Sequence, residues 1–318
     1  MTSGLHGWIP YEDRTSEQQS FTKAYDEQIG TFAVRGSRAA NIPDRVIFVE
    51  LEKRELGHLL PRVYQQTGSC VGAAAATMYV KAQLGDVLHR SDRETIKMVF
   101  PFATYGVGRR KAGMNGPGEG SFGEAQAWAC DPKNFGYVAF DDERFPQPTI
   151  KGDWWQWTAR EERQWSHPRA WPVDEQQLTT TAKKYGIHAI ARVRSIDELV
   201  DGLAQLYTVT IASMFAARPQ VRSGVSIGHR SGSWAHQMGV SGYWKHPQLG
   251  LIFLIDNQWS ARAHPQCPTL AEWGSNGSFW TYESDMEWIL RTGEVFLHSS
   301  TGGFEARDLF GPQVTDYS

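Results

Sequence analysis

The run from Ser69 to Leu84 constrains this chain more than any other stretch. It reads as the clearest helix: Ser69 is a good N-cap, Ala73 to Ala76 are the best helix formers, and Gly85 is a natural stop. Cys70 falls in its first turn. Unpaired backbone N–H groups and the helix dipole favour an anion there, so the position stabilises a thiolate, the reactive form of cysteine. A lone cysteine is more often a small buried hydrophobe. Chemistry at Cys70 therefore requires a base from elsewhere in the chain.

At a typical ~150 residues per domain, 318 residues predict two domains. Helices dominate the first half: Thr15 to Ile29, Ser69 to Leu84, Asp92 to about Tyr105, and Phe122 to Cys130. The glycine-rich stretch 106–121 reads as a loop. Arg45 to Leu51 reads as an early strand. Strands dominate the second half: His188 to Val193, Val209 to Phe215, Ala235 to Trp244, Leu249 to Asn257 and Glu294 to His298. Asp174 to Tyr185 and Ser195 to Tyr207 read as helices between them. The expectation is an α+β protein of two lobes. An N-terminal extension covers 1–60, a helical lobe with a Gly-rich loop and a Trp-rich insertion covers 61–173, a β-rich lobe covers 174–300, and a tail covers 301–318.

Composition excludes several classes. With 41% hydrophobic and 21% charged residues the chain is not disordered. A net charge of −3 lacks the basic excess of a nucleic-acid binder. No apolar run approaches the ~18 residues of a membrane span, and residues 1–7 carry neither the basic nor the apolar part of a secretory signal. Three distant cysteines (Cys70, Cys130, Cys267) suit a reducing compartment, so the expected location is cytoplasmic.

His236 is the base best placed by pattern, because it opens the apolar strand ending at Trp244. The next strand ends Asp256-Asn257. A hairpin centred near His246-Pro247 pairs Met238 with Ile255 and Val240 with Phe253, and sets His236 directly opposite Asn257. Side chains alternate along a strand, so Asp256 points to the other face. Parity thus selects Asn257 to orient His236, and a bulge would reverse that choice.

Gly68-Ser69-Cys70 opening a long helix, Trp234-Ala235-His236 before an apolar strand ending Gly242-Tyr243, and Asn257-Gln258-Trp259 together resemble the papain-like (clan CA, C1-type) cysteine peptidase family. The resemblance covers roughly residues 60–298 and implies a papain-like two-lobe fold. A helical left lobe would carry the central helix from Cys70, and a strand-rich, barrel-like right lobe would carry His236 and Asn257. It implies a catalytic triad of Cys70, His236 and Asn257, with Trp259 shielding the His–Asn hydrogen bond. It implies an oxyanion hole of the Cys70 backbone and an upstream glutamine. The usual spacing falls on Tyr64, with Gln65 and Gln66 following, and Gln66 is the expected donor. Gly116, Gly118 and Gly120 would pair with a polypeptide substrate. The activity implied is peptide-bond hydrolysis through a thioester, with no cofactor and no metal. The disulfides and long inhibitory propeptide of secreted members are missing. The chain is also similar to papain-like proteins of tailed phages, which implies a virion component and other virion proteins as partners. Two alternatives stand beside the peptidase: a structural protein retaining the fold, and a Cys/His hydrolase of peptidoglycan, suggested by the tryptophans.

Thirteen tryptophans are present, five of them (Trp154, Trp155, Trp157, Trp165, Trp171) in one short stretch. They would form a sugar- or partner-binding surface, or, more commonly, pin an insertion to its domain. His264 and Cys267 have metal-like spacing but no second pair, and zinc wants four ligands.

Overall fold

The helix at Cys70 is longer than its sequence signals suggest. It runs Cys70–Arg90, 21 residues, straight through Gly85. Gly85 is a packing residue: a Cβ there would sit 2.5 Å from the Leu206 carbonyl oxygen. From Cys70 to Leu84 every side chain but Gln83 is buried, Lys81 included. The helix is therefore enclosed by the rest of the chain, as a helix this apolar must be. In this computed structural model of the chain, residues 7–32, 41–90, 96–116, 118–167, 169, 171–260, 263–264, 277–301, 303–305, 307 and 309 are described.

Helices Pro101–Lys111 and Gly123–Cys130 pack beside it and complete a helical lobe. The expected loop at 106–121 thus begins as helix. Pro101 at the helix start and close packing explain why: Cβ atoms at Gly106 and Gly108 would meet the Trp165 and Ala125 carbonyl oxygens at 2.8 and 3.2 Å. Residues 91–95, where the preceding helix was expected to start, lie outside the described residues. Arg45–Ile47 is a strand, but the chain then turns into helix Phe48–Leu56, which buries Phe48, Val49 and Leu51 on one side. Helix Ser16–Ile29 starts at a capping box between Thr15 and Gln18 and adds Tyr25 and Ile29 to the main core.

Among the described residues, eight strands of the second half and one of the first build a nine-stranded sheet. Its spine is the hairpin of Arg230–His246 and Gly250–Asp256. Thr208–Ala217, Glu294–Ser299 and Ala189–Arg192 follow on one side, and Ser278–Tyr282, Val225–Gly228 and Gln220–Arg222 on the other; Arg45–Ile47 also pairs with the long strand. The hairpin register is offset by two residues from expectation: Val240, not Met238, pairs with Ile255, and the strands run on to His246 opposite Gly250. A bulge lies between Val240 and Gly242, on the turn side of His236. A slip of one reverses facing and a slip of two preserves it. His236 is therefore a diagonal step from Asn257 and still on its face.

The Trp-rich insertion packs against the helical lobe. Trp157 and Trp165 are almost fully buried, with ring centroids 5.5 and 5.2 Å from that of Phe100, and Trp171 sits 6.1 Å from Phe135. These rings pin the insertion, and the lobe gains an aromatic core in place of a binding face.

Candidate active site

Cys70 enters the site from the first turn of the central helix, and His236 from the long strand of the sheet. The lobes meet at the sulfur: the backbone N–H of Gln237, the residue after His236, donates to Cys70 Sγ at 3.4 Å. His236 Nε2 and Asn257 Oδ1 are 3.0 Å apart. The Trp259 ring lies against the imidazole, with centroids 4.6 Å apart and planes 29° from parallel. His236, Asn257 and Cys70 are all buried, at 0, 1 and 0% exposure. A hydrogen bond so shielded from water is stronger and better fixed than an exposed one.

Asp256 is on the opposite face, as strand alternation requires. It is fully buried, 3.6 Å from Lys81 Nζ and 4.0 Å from Arg62 Nη1, and accepts from Ser278 Oγ at 2.6 Å. Burial alone would raise its pKa, but Lys81 and Arg62 outweigh it and hold the carboxyl below its ordinary range. Lys81 also pairs with Glu52, and Arg62 with Asp153.

The expected oxyanion glutamine is not brought to the sulfur. Gln66 turns its side-chain amide to the Trp157 carbonyl at 2.6 Å. The cause is Glu162 in the Trp-rich insertion. Its buried carboxylate accepts from Gln66 N at 2.8 Å, Thr67 N at 3.0 Å, Thr67 Oγ1 at 2.7 Å and Ser69 Oγ at 2.9 Å. It thereby fixes the loop that delivers Cys70. Gln65 keeps its amide inside this loop, donating to Thr67 O at 3.0 Å. Glu162 was invisible in the sequence because its partners are more than ninety positions away. Burial pushes its carboxyl up to about 7, against the pull of its four donors. A raised acid favours the folded state most below the unfolded value near 4.5, and that contribution drains away as pH rises through 7. Thermal unfolding from pH 4.5 to 7.5 should show this fall, and Glu162→Gln should flatten it.

Of the glycines expected to hold substrate, Gly116 and Gly120 accept from Arg109 through their carbonyls, and Gly120 N–H donates to Gly68 O at 3.1 Å. Gly118 lies beside the Arg109 guanidinium. The backbone pairing in this structure is made by the next residue, Ser121, and its partner is this chain's own N-terminal segment. Ser121 N donates to Gly7 O at 2.9 Å, Ile9 N donates to Ser121 O at 2.8 Å, and Trp8 N faces Ala235 O at 3.4 Å. Residues 7–9 therefore lie between the lobes, extended over Cys70. A Cβ on Gly7 would fall 2.1 Å from Gly68 O and 2.9 Å from Cys70 Sγ, so only glycine fits over the sulfur. Trp8 is buried among Val71, Tyr105, Phe122 and Ala212. Arg14 anchors the segment. It donates twice to Ile9 O and pairs with the buried Glu124 and Glu294.

With these residues seated, burial pushes the Cys70 thiol up to about 12, against the backbone N–H groups of Gln237, Gly7, Val71 and Cys70 itself. The depressed pKa that a helix N-terminus favours is thus not the state of this closed site. Cys130 is also buried and free, with Sγ 2.9 Å from Tyr137 Oη; Cys267 lies outside the described residues. Among the described residues no group of three or more His, Cys, Asp or Glu is gathered to hold a metal, and no helix is long and apolar enough to cross a membrane.

No family model matches the chain, and no curated protein matches it. Solved structures do. The chain is similar to xylellain, a cysteine protease from Xylella fastidiosa, with a TM-score of 0.57 and 18% identity over 93% of this chain and 96% of that one. It is also similar to the Amb a 11 cysteine protease of ragweed in its proform, with a TM-score of 0.50 and 13% identity over 91% and 88% of the two chains. The fold is the papain-like cysteine protease fold.

Proposed function

We propose that this chain is a cysteine peptidase of the papain-like fold, held closed in this structure by its own residues 7–9. The single observation that carries the reading is the convergence at one buried point: a cysteine at a helix N-terminus, a histidine–asparagine pair on the facing sheet, and an extended backbone segment between them. Cys70 is the nucleophile and His236 its base and later its acid, with Asn257 orienting the imidazole and Trp259 covering it. The thiolate attacks an amide carbonyl. The backbone N–H of Cys70 stabilises the oxyanion, a donor typically worth about 3 kcal/mol. Gln65, whose amide stays in the Cys70 loop, is the second donor in place of Gln66. His236 protonates the leaving amine, and water then releases the thioester.

Gly7→Ala tests this reading in the full chain. Its Cβ cannot coexist with Gly68 O, so residues 7 and 8 must leave the cleft. The variant should hydrolyse casein where the parent is nearly silent. An epoxide thiol inhibitor should label its Cys70, located by mass spectrometry, in preference to Cys130. A folded variant that takes up the label at Cys70 and cleaves neither casein nor a peptide library would mark a scaffold. Clearing of cell walls but not casein would mark a peptidoglycan hydrolase.

A further inference from the structure

We propose that His264 is a positioning residue for Asn257: its Nε2 accepts a hydrogen bond from the Asn257 amide and so fixes which end of that amide faces His236. The proposal rests on the peptidase reading for its kinetic consequence but not for its geometry. Asn257 stands between two imidazoles, with Oδ1 3.0 Å from His236 Nε2 and Nδ2 2.8 Å from His264 Nε2. All three side chains are buried.

An amide has two ends of nearly equal size and opposite hydrogen-bonding character. Shape alone does not choose between them. The base needs the oxygen end, because an NH₂ group turned toward a His236 N–H would set donor against donor. Asn257 therefore needs an acceptor behind it. A neutral imidazole protonated on Nδ1 offers one at Nε2, whereas a charged imidazole donates from both nitrogens and would draw the oxygen end to itself.

The surroundings of His264 favour the neutral ring. Phe279 packs 4.4 Å away between ring centroids and Trp234 6.4 Å away. Burial lowers its pKa to about 4, and no charge among the described residues contributes to that shift. Asn257 is the polar group that meets it from the sheet, and the next titratable group along this line is His236. The result is a row running His236, Asn257, His264, in which the last member sets the polarity of the middle one.

The test uses the full chain carrying Gly7→Ala. His264→Phe fills the space and removes the acceptor, while His264→Gln keeps one, since a glutamine oxygen can take the place of Nε2. His264→Phe should lower kcat about tenfold with KM little changed, and should shift the pH midpoint of Cys70 alkylation by iodoacetamide. His264→Gln should recover most of both. Unchanged kcat and alkylation in His264→Phe would overturn the proposal, as would equal losses in both variants accompanied by equal losses of thermal stability. Nitrogen NMR of the unsubstituted chain gives a reading that needs no turnover. At pH 6 the His264 ring should be neutral with its proton on Nδ1; a proton on Nε2 overturns the proposal. If the Gly7→Ala chain proves inactive, the peptidase reading falls, while the tautomer and the alkylation profile still decide the role of His264.

Discussion

Cys70→Ala, placed in the Gly7→Ala chain, is expected to lower kcat/KM for peptide hydrolysis by several orders of magnitude, to the residue of catalysis that binding and the oxyanion hole leave. Among the described residues the proposed nucleophile has no substitute: Cys130 is bound to Tyr137 and Gln126 inside the helical lobe. Stability should change by only about 1 kcal/mol, the scale of losing one methyl-sized buried group, because alanine is the best residue for a helix. Parallel measurement of turnover and thermal unfolding separates the two effects. Turnover near the Gly7→Ala level in the purified variant would end the cysteine-peptidase reading.

The second large effect separates two adjacent residues. Asp256→Ala should cost about 3–5 kcal/mol, because it leaves Lys81 and Arg62 buried without their shared counter-charge. Its kcat should stay close to normal in whatever fraction folds. Asn257→Ala should do the reverse. It spares the ion cluster and removes the group that orients His236, so kcat falls while activity remains well above that of Cys70→Ala. Denaturant midpoints and kcat/KM on one peptide make the comparison. A stable but crippled Asp256→Ala beside a normal Asn257→Ala would place the orienting group on the wrong face.

The opposite faces of these neighbours were legible from sequence because strand parity is robust. The hairpin slipped by two residues from its expected register, yet His236 kept its face, since only an odd slip turns a side chain over. At the turn the strands pair three residues out of the expected register, His246 with Gly250, and the bulge between Val240 and Gly242 takes one back, so the net slip at the site is even. Glycine was the less faithful signal. Gly85, Gly106 and Gly108 look like stops, but each lies where another backbone or side chain comes too close for a Cβ. Local propensity carries no information about such tertiary contacts. The same reason hid Glu162, and the Asn257 contact of His264, only seven positions along, lies outside any regular element, so neither leaves a periodic trace. Residues 7–9 gave no sign either, because backbone pairing with Ser121 needs no particular side chain beyond the glycine over the sulfur.

Arg14 gives the closed cleft a kinetic character of its own. Its guanidinium is buried between Glu124 of the helical lobe and Glu294 of the sheet, so the chain from residue 14 onward belongs to the folded body. Residues 7–13 are therefore a short leash fastened to the folded body at Arg14. When Gly7 and Trp8 lift out they cannot diffuse away, and they return as an intramolecular competitor at an effective concentration in the millimolar range. Diluting the protein would not open the site. On the peptidase reading, a substrate would have to outcompete a neighbour that is always present, so the apparent KM would measure the leash as much as the cleft, and cutting anywhere between residues 9 and 14 would lower it.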